Sequence, residues 1–200
     1  MRNQLQSMPS EQNDEGLRRY LNPQDSNWYI QIMQGDFYVT DTPQEVLTTI
    51  LGSCISACIR DPSLGIGGMN HFLLPEGDGE DRNARRFGVN AMEILINDIL
   101  KRGGERSRLE AKLFGGANVI NAMSNVGSRN AAFAKQFLSD EGIAVTGGDV
   151  GGTMPRRIQF WPVSGRARQL SVRVNQQELL ERERAESNRG RIPDDDVELF

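Results

Sequence analysis

Residues 51–74 of this 200-residue chain read LGSCISACIRDPSLGIGGMNHFLL. The segment has the pattern of two short strands joined by a tight turn at Asp61-Pro62. The strand before the turn contains both cysteines of the chain, and the strand after it runs into the only histidine, His71. We therefore expect a β-hairpin that brings a thiol and an imidazole close together.

The register of this hairpin decides whether Cys54 and His71 meet. A loop of four residues would pair Arg60 with Gly65, and the same register places Cys54 directly opposite His71. Directly opposed residues share a face of the sheet, with Cβ atoms roughly 5 Å apart, whereas a slip of one residue would separate them onto opposite faces. A thiol beside an imidazole is the minimal arrangement of a nucleophile with its own base, so this register predicts a catalytic pair.

The two faces of the predicted hairpin differ in character. Cys54 and His71 share their face with mostly small or polar residues: Ser56, Cys58, Arg60, Gly65, Gly67 and Met69. The opposite face is more apolar: Ile55, Ala57, Ile59, Ile66, Gly68, Asn70 and Phe72. We expect the apolar face to pack on the core and the face with Cys54 and His71 to open to a substrate groove.

The second cysteine, Cys58, is expected to be a packing thiol. A disulfide with Cys54 is geometrically poor, because residues four apart in one strand lie about 13 Å apart while bridged Cα atoms lie within about 7 Å. Two cysteines and one histidine also lack the spacing of a closed zinc site. The glycine pairs are not followed by a phosphate-binding motif, so we expect neither a metal nor a cofactor.

The rest of the chain predicts one domain with two extensions. Residues 1–27 are polar and predict a flexible N-terminal extension, residues 28–175 form the domain, and residues 176–200 form a charged tail that is partly helical or disordered. Apolar residues spaced by three or four predict helices over about 86–102 and 128–140. Short strands without strict alternation with helices favour a layered α+β fold, with a short helix over 118–123.

Composition narrows the classes of function. A formal net charge of -4 argues against a general nucleic-acid binder, which needs a basic surface. No apolar run reaches the roughly 20 residues of a membrane helix, and residues 1–30 lack the apolar core of a signal peptide, so we expect a cytoplasmic protein. We expect the arginines near the last hairpin to be solvated charges: Arg156, Arg157, Arg166 and Arg168.

Several motifs together resemble one known family. They are LGSC at 51–54, GGMNHFLLP at 67–75, KLFGGAN at 112–118 and DVGG at 149–152. In these segments, and over roughly residues 35–175, the chain resembles the CheD family of chemoreceptor glutamine deamidases. The resemblance implies a layered α/β sandwich with mixed or antiparallel sheets flanked by helices, a cysteine-hydrolase fold similar to that of bacterial toxin deamidases.

The resemblance also implies an activity and a set of catalytic residues. CheD-like proteins convert particular receptor glutamines to glutamates, and some also hydrolyse receptor glutamyl methyl esters. Of their Thr-Cys-His triad, Cys54 and His71 match the nucleophile and the base, and Thr48 matches the threonine, although the adjacent Thr49 leaves that assignment open. The backbone N–H groups of Ser53 and Cys54 are the expected oxyanion donors.

The implied partners are the cytoplasmic domains of methyl-accepting chemoreceptors and, in some bacteria, a CheC-type phosphatase that inhibits the deamidase. Two other functions are compatible with the sequence. A CheD-like scaffold could regulate receptors or a phosphatase by binding alone, without turnover. A general cysteine hydrolase would instead act on small amides such as free glutamine.

Overall fold

The computed structural model describes residues 10–12, 16–75, 82–118 and 125–172. In this part of the chain, two β-sheets lie face to face and two α-helices cover the outer face of one of them. The result is a β-β-α arrangement of three layers, which confirms the predicted layered α+β fold. Of the short helix predicted over 118–123, all but residue 118 lies outside the described residues.

One sheet contains six strands. Their order across the sheet is β1 (Ser10–Gln12), β2 (Arg18–Asn22), β3 (Asn27–Gln31), β5 (Glu45–Leu51), β10 (Arg156–Trp161) and β11 (Arg166–Ser171). Strands β3 and β5 pair in parallel, and the other neighbours pair antiparallel. The chain therefore leaves this sheet after β3 and returns to it at β5.

The other sheet contains five strands. Their order is β4 (Phe37–Thr40), β7 (Ile66–Asn70), β6 (Ile55–Asp61), β8 (Glu110–Gly115) and β9 (Ala144–Val150). Only β8 and β9 run parallel. Residues 52–54 connect β5 of the first sheet to β6 of the second, so Cys54 lies where the chain crosses between the sheets.

Two helices, α1 (Arg82–Lys101) and α2 (Val126–Asp140), pack on the five-stranded sheet, and a short 3-10 helix spans Arg106–Arg108. The helices begin slightly before their predicted starts. Each is followed by a glycine in the left-handed conformation, Gly103 at φ 97° and Gly142 at φ 68°, where such residues commonly end a helix. In the described ranges, no helix is long and apolar enough to cross a membrane.

The two faces of the β6–β7 hairpin pack in two different cores. The apolar face, including Ile55, Ile59 and Phe72, packs with the helices, whereas Cys54 and Met69 belong to the core between the two sheets. The predicted division of the faces is therefore confirmed. The predicted open groove is wrong, because the six-stranded sheet covers the face that carries Cys54.

The N-terminal boundary of the folded part differs from its prediction. Residues 16–27, expected to belong to a flexible extension, form β2 and the turn into β3, and Tyr20 stacks on Tyr29 with ring centroids 5.5 Å apart. This aromatic pair and the β2–β3 ladder explain why a polar segment joins the sheet. Residues 1–9, 13–15 and the predicted charged tail at 176–200 lie outside the described residues.

Arg156, expected to be solvated, is buried at the junction of the two sheets. Its guanidinium lies 2.8 Å from the carboxylate of Asp149 and donates to the main-chain oxygens of Asp149, at 2.9 Å, and Gly151. Since Arg156 is on β10 and Asp149 is on β9, this contact joins the six-stranded sheet to the edge strand of the five-stranded sheet. Arg166 lies over the Trp161 ring, 3.8 Å from the ring centroid.

Candidate active site

The register of the hairpin places Cys54 and His71 on the same face. Arg60 pairs with Gly67, not with Gly65, and the register continues to a bridge between Ile55 and Phe72. The predicted register is therefore wrong by two residues. Because side chains alternate with a period of two, this shift preserves the face of each residue, and Cys54 and His71 become diagonal rather than directly opposed.

Asp61 explains the difference in register. It belongs to β6 rather than to the turn, so the loop starts one residue later than predicted and ends at Gly65, whose φ is 72°. The Asp61 carboxylate accepts hydrogen bonds from the N–H groups of Ser63, at 2.9 Å, and Glu105, at 3.0 Å. The guanidinium of Arg108, 2.6 Å away, holds the pKa of this fully buried carboxyl well below its usual range.

The chain around Cys54 is held by three hydrogen bonds to its carbonyl groups. The Cys54 carbonyl accepts from the N–H of Gly116 at 2.7 Å, and the Gly52 carbonyl accepts from that of Ala117 at 2.8 Å. The Ser53 carbonyl accepts from the Asn130 side chain at 2.9 Å. These contacts fix the peptide units whose N–H groups, those of Ser53 and Cys54, are the expected oxyanion donors; that role stays a prediction.

The approach of residues 115–116 to Cys54 depends on glycine. Gly115 has a φ of 105°, and a Cβ atom at this position would lie 2.2 Å from the carbonyl oxygen of Cys54. No other residue fits there without moving the backbone. The Gly-Gly pair that sequence analysis excluded from phosphate binding therefore supports the segment that carries the thiol.

Asn130 is a site residue that sequence analysis did not single out. It is fully buried on α2, where its side chain donates to the carbonyl of Ser53 and accepts from the N–H of Leu74, each at 2.9 Å. It thereby joins the turn before Cys54 to the segment after His71. A buried asparagine on the apolar face of a predicted helix is the signal that indicates such a role.

His71 is fixed through both its backbone and its ring. Its N–H donates to the carbonyl of Asp36 at 3.1 Å, and its carbonyl accepts from the N–H of Gly35 at 2.7 Å. The ring Nδ1 lies 2.9 Å from Thr49 Oγ1, which itself donates to the Ile32 carbonyl at 2.7 Å. Since a hydroxyl has a single proton, the oxygen of Thr49 is left to accept from Nδ1–H. In the neutral ring, Nε2 is then the basic nitrogen.

The threonine at the ring is Thr49, not Thr48. The hydroxyl of Thr48 donates to the carbonyl of Ile158 at 2.9 Å. Thr49 faces the core between the sheets, as its strand neighbours Leu47 and Leu51 do, while Thr48 faces the other side, as Val46 does. Adjacent residues of a strand point to opposite faces, so only one of the pair can reach the imidazole.

A glutamine that sequence analysis did not name lies at the thiol. The Sγ of Cys54 donates to Oε1 of Gln34 at 3.3 Å. Gln34 belongs to the loop between β3 and β4, which crosses from one sheet to the other. No motif in the sequence indicates this contact, because it joins segments that are distant along the chain.

Cys58 lies in a different environment. It is fully buried in the same inter-sheet core, and this burial raises the pKa of its thiol far above the ordinary value for cysteine, despite nearby Ser56 and Lys112. Cys58 is therefore a neutral packing thiol in this fold. Among the residues that the structure describes, no three His, Cys, Asp or Glu side chains are placed to hold a metal ion.

The layered α+β fold thus brings together a thiol, an imidazole on the same face and a hydroxyl at the imidazole Nδ1, which are the groups that a cysteine hydrolase requires. The comparisons with known proteins identify the family. A family model described as CheD chemotactic sensory transduction matches residues 73–171. This match begins after His71, so it is independent of the Cys54 and His71 contacts described above.

Two relatives are similar over most of their length. A protein of Caulobacter vibrioides named probable chemoreceptor glutamine deamidase CheD is 57% identical over 148 residues, which cover 73% of this chain and 79% of the relative. A protein of Rhizobium leguminosarum bv. trifolii with the same name is 58% identical over 146 residues, which cover 72% of this chain and 79% of the relative. The chain belongs to the CheD family.

Among solved structures, a Neisseria meningitidis protein of family DUF152 matches this chain with a TM-score of 0.40 and 14% sequence identity. The match covers 60% of this chain and 54% of the Neisseria protein.

Proposed function

We propose that this protein is a chemoreceptor glutamine deamidase that uses Cys54 as its nucleophile. The substrate class follows from the CheD relatives, whose names give this activity. The observation that supports the chemistry best is the contact of Thr49 with Nδ1 of His71, because it makes Nε2 the basic nitrogen on the face that carries Cys54. Cys58, four residues further along, is kept neutral by its burial.

The first half of the reaction forms a thioester. His71 takes the proton of the Cys54 thiol, and the thiolate attacks the side-chain amide carbon of a receptor glutamine. The new S–C bond moves the carbonyl electrons onto oxygen, and the backbone N–H groups of Ser53 and Cys54 are the proposed donors to that charge. When the tetrahedral intermediate collapses, the C–N bond breaks and the imidazolium gives its proton to the departing ammonia.

The second half restores the enzyme. Nε2 of His71 takes a proton from water, which attacks the thioester carbon. The C–S bond breaks, the thiolate of Cys54 is reprotonated, and the side chain is released as glutamate. The same steps applied to a glutamyl methyl ester release methanol instead of ammonia, so receptor methylesterase activity is part of this proposal.

The oriented imidazole depends on a hydroxyl rather than a carboxylate. A hydroxyl stabilises the imidazolium less than a buried carboxylate does, so we expect modest turnover.

Each modified site gains a negative charge, which changes repulsion within a receptor helix bundle. We expect the substrate to be the cytoplasmic domain of a methyl-accepting receptor, and we therefore expect the enzyme to act in the cytoplasm. A CheC-type phosphatase as inhibitor remains an expectation from the family.

Intact-mass analysis of a purified receptor cytoplasmic domain tests the proposal. Incubation with the wild-type protein should add the mass of an amide-to-acid conversion, and Cys54→Ala should add nothing. Cys58→Ala is the matched control, because it removes a buried thiol from the same strand face. A mass gain with Cys54→Ala would refute the nucleophile assignment. Binding without any mass change in the wild type would favour a regulatory binding module, and turnover of free glutamine would favour a general amidase.

A further inference from the structure

The amide of Gln34 lies against the reacting atom of the proposed enzyme. Oε1 of Gln34 accepts from Sγ of Cys54 at 3.3 Å, inside a site where Cys54 is 0% and His71 5% exposed. A side-chain amide carries a carbonyl acceptor and an NH2 donor on one planar group. It can therefore accept from a thiol and, after a half-turn about its last torsion, donate to a negative charge at the same place.

The loop that carries Gln34 is fixed to the base rather than free to leave the site. Gly35 N–H donates to the His71 carbonyl at 2.7 Å, and His71 N–H donates to the Asp36 carbonyl at 3.1 Å. The Asp36 carboxylate also accepts from the N–H of Met33 at 3.1 Å. The residues on both sides of Gln34 are thus anchored, and a swing of the loop would break the backbone contacts of His71.

We propose that Gln34 is a catalytic residue whose side-chain NH2 donates to the negative charge formed at Cys54. This inference rests on the proposed function. In the resting enzyme, the amide oxygen accepts from the S–H group. Once His71 holds the thiol proton, the sulfur has no proton to donate, and the turned amide presents N–H to the thiolate.

The same N–H then donates to the substrate oxygen that becomes negatively charged. When the thiolate adds to the receptor amide, the carbonyl electrons move onto an oxygen one bond away from the carbon attached to sulfur. A donor within hydrogen-bond reach of sulfur is also close to that oxygen, where side-chain amides are effective oxyanion donors. Gln34 forms and breaks no covalent bond. It returns to its resting orientation when the thiol is reprotonated.

Steady-state kinetics on the receptor domain test this role. Gln34→Met keeps the length of the side chain but removes the donor, and loss of one oxyanion donor lowers kcat by about 10²–10³. KM should change little, because the contact is made to charge that develops during the reaction. Gln34→Glu should be at least as slow, since a carboxylate repels an oxyanion. Gln44→Ala, in an exposed loop, is the control and should match the wild type.

A second readout needs no receptor. Alkylation of Cys54 by iodoacetamide reports on the thiolate, and Gln34→Met should slow it by about tenfold, the effect of losing a hydrogen bond to a charged group. This measurement separates a failure of the Gln34 role from a failure of the deamidase assignment.

Three results would overturn the role of Gln34. Faster turnover by Gln34→Ala would mean that the side chain blocks the substrate site. Unchanged kcat and unchanged alkylation in Gln34→Met would mean that it contributes nothing to the charge. The mass of a deamidation at Gln34 itself in the purified wild type would mean that it is a substrate.

Discussion

Cys58 is the central residue of β6 and Cys54 immediately precedes that strand; both face the core between the two sheets and are fully buried. They differ in what surrounds them. Cys58 has Met69 and Lys112 as its paired strand neighbours, and burial keeps its thiol neutral. Cys54 lies outside the regular strand, where its thiol donates to the Gln34 amide.

The two cysteines show that burial alone does not decide how reactive a thiol is. Burial alone penalises the thiolate and makes a cysteine inert, as at Cys58. The same exclusion of water strengthens every hydrogen bond and charge contact that is present, as at Cys54. A buried thiol is therefore a candidate nucleophile only where a base and donors are buried with it.

The largest expected effect comes from removing the base. His71→Ala should lower deamidation of the receptor domain by about 10³ or more, because thiol and imidazole act as one unit. The circular dichroism spectrum and the thermal unfolding midpoint show whether the fold persists. Retention of most of the activity in a folded His71→Ala protein would mean that Cys54 differs from Cys58 for a reason other than this ring.

The two adjacent threonines provide the next comparison. Thr49→Ala should lower kcat by roughly tenfold, since a hydroxyl orients the ring less strongly than the carboxylate whose loss costs about 10⁴ in serine proteases. Thr49→Ser keeps the hydroxyl and should recover most of the rate. Thr48→Ala removes a hydroxyl that contacts Ile158 and should leave the rate within about twofold. The opposite order would favour Thr48, the residue that the family resemblance matches.

The turn that sets the register should respond to acid. The carboxyl pKa of Asp61 is lowered, chiefly by the hydrogen bond from Arg108. The stability from this shift is present above the unfolded pKa of about 4 and is lost as the pH falls below it. Asp61→Asn should lower the Tm by about 5 °C at pH 7 and by less at pH 3. An equal loss at both pH values would show that the charge of Asp61 is not what stabilises the turn.

The smallest effect is expected at the second cysteine. Cys58→Ala removes only packing from the core, so activity should stay within about twofold while stability falls by about 1 kcal/mol. Urea unfolding and the receptor mass assay measure the two quantities on one preparation. A large loss of activity at full stability would give Cys58 a role that its surroundings do not provide.

The fold could be predicted from sequence because it depends on local periodicity. The same holds for the hairpin face that carries Cys54 and His71. An error of two residues in the hairpin register left Cys54 and His71 on one face, since side chains alternate with a period of two. The register itself depended on Asp61, whose place in the strand is set by contacts to Glu105 and Arg108 that are distant along the chain.

The remaining site residues could not be predicted from sequence, because their positions also depend on contacts between segments that are distant along the chain. Whether Thr48 or Thr49 faces inward depends on the pairing of β5 with β3 and β10. Gln34 and Asn130 reach the segment around Cys54 from a loop and a helix that only the tertiary fold brings close. Burial of Arg156 likewise required the junction of the two sheets.

Whether Cys54 is the nucleophile is tested most directly by labelling the native protein with limiting iodoacetamide and mapping the two thiols by peptide mass. The reagent carries a small primary amide, as the glutamine side chain does. We predict that Cys54 is modified first, that deamidase activity falls in proportion, and that Cys58 reacts only after unfolding. Equal labelling of the two cysteines, or full activity with Cys54 completely modified, would contradict the claim that buried neighbours make Cys54 the nucleophile.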